Sequence, residues 1–385
     1  MQFNSKEEFS FVEMKDLDSN NKSVTPSDFK KLKGGAKFQN GDTLFARITP
    51  CLQNGKICQV KGLKNNKGFG STEFLVFRGK EGVSDSDFVY YLSRDSFVRQ
   101  FAEANMIGTS GRQRVAKEAF QNLELELPPL QEQKAIASIL SAIDDKIENN
   151  LAINKTLEDM AMALYKHWFV DFAPFQDGAF VDSELGQTPK GWEVKKLVDF
   201  CNLTMGQSPK SEFYNDKKIG FPFHQGVKDY GERFPEDITY STEGNRYAEE
   251  GDILFSVRAP VGRLNIAKNK IILGRGLASL RLKNHSENGF LFYLLKNKFT
   301  ADDIIGDGTV YKSVNKKEIE DLYFVLPDFK IIAEFNKLIA SIDNQYLSNY
   351  TENQTLIQLR NTLLPKLISG DIQLKAIRQQ VENAL

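Results

Sequence analysis

Two stretches of this chain nearly coincide when one is slid 210 positions onto the other. GDTLFARITP begins at Gly41 and GDILFSVRAP at Gly251, so Gly41, Asp42, Leu44, Phe45 and Pro50 fall on Gly251, Asp252, Leu254, Phe255 and Pro260. A second pair lies 199 positions apart, LELPPLQEQKAIASILSAID from Leu125 against FVLPDFKIIAEFNKLIASID from Phe324. That match runs on without a gap to Asn154–Leu157 and Asn353–Leu356. Repetition on this scale fixes the architecture before composition is consulted: 385 residues hold two copies of a unit roughly 200 residues long, and not two unrelated domains. The two shifts differ, so the copies diverge mainly outside their helices.

Each copy has a part rich in Gly, Phe and turn signals followed by a long helical part. Runs such as DTLFARI, EFLVFR, LELEL, DILFSV, LASLRL and LYFVL are short, apolar and bounded by turns, as strands are. DFVYYLSRDSFVRQFAEA and GFLFYLLKNKF read as helices among them. Pro128-Pro129 and Pro327-Asp328 sit where helix starts favour Pro or a capping Asp, and Pro174 and Pro365 where helices stop. The expected class is α+β: two α/β domains with curved, mostly β cores, joined by two long antiparallel α-helices in a pseudo-twofold internal repeat. The expected bounds are 1–127 and 175–327 for the domains, and 128–174 and 328–385 for the helical segments.

Heptad steps of four and three run through the first helix at Ile136, Leu140, Ile143, Ile147, Asn150, Asn154, Leu157, Ala161, Leu164 and Trp168. In the second they fall on Phe335, Ile339, Ile342, Tyr346, Asn349, Asn353, Leu356, Arg360, Leu363 and Leu367. Both seams are apolar at the ends with two Asn in the middle. A buried Asn costs stability while fixing register. Antiparallel packing would set Asn150 opposite Asn353 and Asn154 opposite Asn349, near a pseudo-twofold axis. A 37-residue helix spans about 55 Å, so two like domains would stand at opposite ends of a rod. Successive major-groove faces of DNA recur about every 34 Å, which suits a reader of two separated half-sites.

No catalytic constellation emerges. KGGAK at Lys33 and NGKI at Asn54 lack the spacing of a phosphate loop, and no GxGxxG follows a strand. Pro128-Pro129 lacks the flanking residues of an amino-methyltransferase motif. His167, His224 and His285 have no metal spacing, and Cys51, Cys58 and Cys201 form no CxxC. Asp328-Phe329-Lys330 lacks the upstream Pro-Asp of a nuclease. No apolar run approaches the roughly 20 residues of a membrane span. The charged N-terminus is unlike a signal peptide, so the cytoplasm is the expected compartment.

A formal charge of -1, taken alone, argues weakly against nucleic acid. Residues 1–127 carry +3 and residues 128–174 carry -3. Basic residues bunch in turn-like segments: Lys30, Lys31, Lys33 and Lys37; Arg112 and Arg114; Lys210, Lys217 and Lys218; Lys312, Lys316 and Lys317. Arg47, Lys56, Arg258 and Arg263 flank the repeated Gly-Asp stretches. Phosphates attract local positive charge, and Arg or Lys suits guanine edges. The candidate DNA contacts are therefore Lys30, Lys31, Lys33, Arg47, Lys56, Arg112, Arg114, Lys210, Lys217, Lys218, Arg258, Arg263 and Lys312. So weakly charged a reader would share its grip on the duplex with a partner. The competing reading is a coiled-coil scaffold whose globular ends bind proteins.

At these residues the chain resembles the specificity (S) subunit of type I restriction-modification enzymes. LPPLQEQKAIASILSAIDDKIENNLAINKTLEDMAMALYKHWFVDF is similar to that family's central conserved region, and LPDFKIIAEFNKLIASIDNQYLSNYTENQTLIQLRNTLLPKLISGDI to its distal one. PKGWEVKKLVDF at Pro189 resembles the opening of a target recognition domain; the N-terminus has no such PxGW opening. The resemblance implies a non-catalytic subunit whose two target recognition domains each read half of a split, asymmetric site in double-stranded DNA. It implies two methyltransferase (M) subunits that dock on the helices and use S-adenosylmethionine. It also implies restriction (R) subunits that use ATP and Mg, with no cofactor or metal on this chain.

Overall fold

The computed structural model describes residues 3–4, 7–109, 111–283, 288–299 and 313–372. Its helices are α1 (Ser86–Arg94), α2 (Ser96–Ala104), α3 (Leu130–Phe169), α4 (Leu197–Phe200), α5 (Gly289–Lys298), α6 (Lys316–Glu320) and α7 (Phe329–Ile368). Helices α3 and α7 have 40 residues each. The chain divides into two compact units, Met1–Ile153 with Ser348–Leu385, and Asn154–Leu347. Each unit therefore contains part of both long helices.

In the first unit, one four-stranded sheet runs Asp28–Lys31, Glu8–Val12, Gly68–Gly70, Ala36–Phe38, and a second runs Ser23–Val24, Ile57–Val60, Thr43–Ala46, Phe74–Phe77. All four residues of Thr43–Ala46 are buried, because the strand has a core on each face. Leu44 joins Val12, Phe38, Val60 and Phe74 on one side. Phe45 joins Phe88, Tyr91, Ile136, Leu140 and Leu363 on the other. That second cluster seats α1 against α3 and the C-terminal part of α7. The two long helices run antiparallel here, Asp144 meeting Arg360 and Asn150 meeting Asn353.

The second unit repeats the plan. Its central strand Ile253–Ser256 lies between Leu264–Ile266 and Leu277–Leu282, with Cys201–Met205 beyond the latter. Phe255 packs with Tyr165, Phe169, Phe290 and Phe335, and Leu254 faces Ala248, Ile271 and Leu277. The unit adds a five-stranded sheet, Tyr214–Asn215, Tyr240–Ser241, Phe221–His224, Ile271–Leu273, Tyr247–Ala248.

Local chemistry sets the boundaries. Asp85 caps α1, its Oδ1 accepting from the Asp87 and Phe88 amides at 3.0 Å. Asp95 ends α1 and caps α2 through the Phe97 amide at 2.8 Å. The single helical patch expected here is consequently two helices. Asp328 accepts from the Lys330 amide at 2.8 Å at the head of α7, as the sequence suggests.

Three local expectations are corrected. LELEL at Leu123–Leu127 is irregular, whereas its counterpart Tyr323–Leu326 is a strand paired with Glu193–Lys196. That partner comes from the PKGWEVKK segment, which has no sequence counterpart in the first copy, and a strand needs a partner for its backbone. Helix α7 continues through Pro365 to Ile368. Proline keeps a helical φ and removes one hydrogen bond, while buried Leu363, Leu364 and Leu367 hold the last turn. In α3 the buried stripe after Ala161 passes through Tyr165 and Phe169, not Leu164 and Trp168. A straight helix of 3.6 residues per turn drifts away from a strict heptad count.

Candidate nucleic-acid interface

Each repeated Gly-Asp stretch builds the same turn. Gly41 and Gly251 adopt φ of +85° and +80°, a region that glycine enters without Cβ strain. The following aspartate folds back on the backbone. Asp42 Oδ2 accepts from the Gln39 amide at 2.7 Å, and Asp252 Oδ2 from the Glu249 amide at 2.9 Å. An arginine then clamps each carboxylate. Arg78 donates through Nε at 2.7 Å and Nη2 at 2.6 Å to Asp42, and Arg281 donates through Nε to Asp252. Burial pushes the Asp252 carboxyl above the usual carboxylate range, against the pull of the Glu249 amide and Arg281.

The strand that leaves each turn, Thr43–Ala46 or Ile253–Ser256, is followed by a cis proline, Thr49-Pro50 or Ala259-Pro260. Two backbone hydrogen bonds pin that end identically in both units. Arg47 N donates to Glu73 O at 3.0 Å and Val257 N to Gly276 O at 2.9 Å. Val115 N donates to Arg47 O at 3.0 Å and Val314 N to Val257 O at 2.9 Å. The backbone frame is thus duplicated while its side chains differ.

The sequence-derived basic residues fall into several environments. Lys31 and Lys33 are exposed and line a concavity of about 560 Å³ with Phe11, Phe29, Gly34 and Gly35. Lys30 lies beside them, but its Nζ is 2.8 Å from Glu13 Oε1 and 4.0 Å from the centre of the Phe11 ring. Lys56 donates to Met14 O at 3.0 Å. Around the first cis proline, Arg47 is half-buried with its Nε unpaired among the described residues, Arg112 is exposed, and Arg114 pairs with Glu73.

In the second unit Arg258 and Arg263 flank the other cis proline and both are exposed. Lys217 and Lys218 occupy an exposed turn organised by Asn215, whose Oδ1 accepts from the Lys217 amide at 3.1 Å and the Ile219 amide at 3.0 Å. Lys210 is exposed, 3.5 Å from Glu212. Lys312 lies outside the described residues. The structure therefore brings together Lys30, Lys31 and Lys33, then Arg47, Arg112 and Arg114, then Arg258 and Arg263, and leaves Lys56 apart.

Sequence reasoning missed the acidic partners. Glu13 and Glu73 lie 17 and 41 positions from Lys30 and Arg114, and no local pattern marks such pairs. The helix asparagines are all buried. Asn150 Nδ2 donates to Asn353 Oδ1 at 2.9 Å and to Glu352 Oε2 at 2.7 Å, and Asn154 Nδ2 donates to Tyr346 O at 3.2 Å.

Elsewhere, His224 is buried 2.9 Å from Asp237, and no group of three or more His, Cys, Asp or Glu among the described residues could hold a metal ion. No helix among the described residues is long and apolar enough to cross a membrane.

Comparison with known proteins gives the frame a family. Residues 2–159 and 189–361 match the type I restriction modification DNA specificity domain, once per repeat. The chain is 31% identical to the candidate type I restriction enzyme MjaX specificity subunit of Methanocaldococcus jannaschii, over 87% of this chain and 79% of that one. It is 26% identical to the type I restriction enzyme HindI specificity subunit of Haemophilus influenzae, over 90% of each. Among solved structures, the type I restriction-modification S subunit from M. genitalium shares the fold, with a TM-score of 0.50 at 16% identity over 95% of this chain and 98% of that one. The duplicated domain match and the relatives matched over most of their length agree with the repeated fold: the chain belongs to the family of specificity subunits of type I restriction-modification systems.

Proposed function

We propose that this chain reads a bipartite, asymmetric site in double-stranded DNA, with one half-site assigned to residues 1–127 and the other to residues 175–327. The reading rests on one observation, a duplicated backbone frame that carries different side chains in its two copies. An arrangement of that kind recognises two unlike sequences with one docking geometry, because phosphate contacts position and base contacts specify. Lys31, Lys33, Arg47, Arg112 and Arg114 are positive groups offered by the first copy, and Lys217, Lys218, Arg258 and Arg263 those offered by the second.

In this reading the helical segments 128–174 and 328–385 set the distance between half-sites and dock two methyltransferase subunits. Those subunits supply S-adenosylmethionine and the chemistry of adenine methylation. Restriction subunits, with ATP and Mg, complete the assembly in the cytoplasm, and this chain contributes recognition without a catalytic group. Sharing the duplex with partners accounts for a DNA reader whose formal charge is only -1.

The test is methylome sequencing of cells carrying the chain with its methyltransferase partner. A single motif of two defined blocks separated by a fixed unspecified gap is expected, each mismatch costing about 1–3 kcal/mol. An uninterrupted motif, or none, overturns the reading. Binding of the purified complex must also weaken steeply as salt rises, since phosphate contacts release counterions.

A further inference from the structure

Arg114 ends the hairpin Met106–Ile107/Arg114–Val115 and bridges to Ile48, two residues before the cis Pro50. Its Nε donates to Glu73 Oε1 at 2.8 Å and Oε2 at 3.0 Å, and its Nη2 lies 2.7 Å from Oε1. Nη1 donates to the Arg112 carbonyl at 3.3 Å. A guanidinium holds five N–H donors in one planar fork. Glu73 occupies the side formed by Nε and Nη2, and Arg112 takes one hydrogen of Nη1. What remains is the end-edge N–H of Nη2 and one N–H of Nη1, and 43% of the side chain is exposed. Donors on two neighbouring nitrogens of one guanidinium suit the O6 and N7 acceptors of guanine in the major groove. Because Glu73 fixes the plane in advance, little conformational freedom remains to be lost on binding.

The second unit has the same frame without the device. The bridge between Ile48 and Arg114 is matched by one between Arg258 and Ser313. The carbonyl that accepts from the frame belongs to Glu73 in one copy and to Gly276 in the other. Where the first copy sets an arginine and its carboxylate, the second has a serine and a glycine. The frame is common and the side chains at its rim are private to each copy, as residues that encode different bases must be.

We propose that Arg114, held side-on by Glu73, is the guanine-reading residue of the first recognition domain, and that the second domain reads its matching base by other means. This rests on the bipartite DNA reading above. Glu73 is then a positioning residue, acting on DNA through Arg114.

The experiment uses the complete methyltransferase complex and begins with the native motif. Two separated blocks, one with a G·C pair that Arg114→Met alone degrades, are the expected result, with the other block and the gap unchanged. Competition binding on duplexes of that motif follows, with 7-deazaguanine replacing each guanine in turn. The native complex should lose about tenfold in affinity at one guanine, for lack of the N7 acceptor. Arg114→Met, which leaves no donor, should be indifferent to 7-deazaguanine there, and Glu73→Gln, which keeps the arginine but loosens its plane, should be intermediate.

An Arg114→Met complex that keeps the native motif, or that discriminates against 7-deazaguanine as well as the native one, overturns the proposal. So does a native motif without G·C in either block, or a variant that relaxes both blocks. If Arg114→Met methylates too weakly to yield a motif, the binding comparison alone decides. A native motif that is not split at all sinks the bipartite reading instead, which keeps the two failures distinct.

Discussion

Arg360 of α7 donates to Asp144 of α3 at 2.6 Å, with only 4% and 2% of the two side chains exposed. The same carboxylate accepts from the Tyr91 hydroxyl of α1 at 2.7 Å. Its repeat equivalent, 199 positions on, is Asp343, which accepts from the Tyr293 hydroxyl at 3.0 Å and from Arg233 at 2.6 Å. In each unit, therefore, one aspartate of a long helix ties down a tyrosine of a short domain helix and neutralises a buried arginine. The source of the arginine differs: the opposite long helix in the first unit, a loop of the domain itself in the second.

That arrangement predicts strong coupling between Asp144 and Arg360. Removing either partner leaves a buried charge uncompensated, so Asp144→Leu or Arg360→Leu alone should cost about 3–5 kcal/mol of unfolding free energy. The double variant should recover much of that loss, since an apolar pair of similar volume can replace a buried ion pair at little net cost. Urea unfolding of all four proteins measures the coupling. Strictly additive losses would show that the pair is not a unit.

How much of this was legible follows from sequence distance. Gly41-Asp42 and Gly251-Asp252 announce the repeat because identical turn chemistry leaves identical residues. What each aspartate does was not legible, because Arg78 and Arg281 arrive 36 and 29 positions later and only the sheet brings them back. Counting heptads placed Arg360 in the seam and found the buried face of α7. It passed over Asp144, which lies one position from the counted Ile143 and carries the charge that makes Arg360 tolerable there. The basic segments were readable as composition. Which of their members are committed to Glu13, Met14 or Glu73 depends on pairings across strands that no local pattern encodes.

Lys30 illustrates the consequence. Hydrogen bonds from Lys30 and then Lys15 hold the Glu13 carboxyl down at about 2, below its ordinary value. A carboxylate depressed in the folded state adds stability above its unfolded pKa, about 4.3, and loses it as pH falls toward 2. Glu13→Gln should remove that part of the acid dependence between about pH 4.3 and 2, release Lys15 and leave Lys30 with only Asp28, 3.6 Å away. If they then reach phosphates, DNA affinity rises at low salt and the log–log salt slope steepens by about 0.9 per new contact. An unchanged slope would show that these lysines face away from the duplex.

The buried asparagines give a prediction of the opposite sense, since polar seam residues trade stability for register. Replacing Asn150, Asn154, Asn349 and Asn353 together by Leu should raise the melting temperature while admitting a second helix register or a new oligomer. Light scattering and crosslinking of single-cysteine pairs along α3 and α7 read both. A quadruple variant that stays monomeric in one register would assign the asparagines another role.

The spacer role leads to the most direct test of all. Half-site separation, if set by α3 and α7, must respond to their length in steps of the helix geometry. Four residues add about 6 Å along a helix axis, close to the rise of two base pairs at about 3.4 Å each. They also rotate the inserted end by roughly one turn, since 3.6 residues make a turn. Insertions at matched points of both helices keep the apolar stripes of the two facing each other. The methylated motif should then retain both blocks while the gap between them grows. Inserting two residues instead turns the stripe to the opposite side of the helix and should abolish methylation through loss of the packed seam. If the four-residue insertion leaves the gap at its native length, the helices do not measure it.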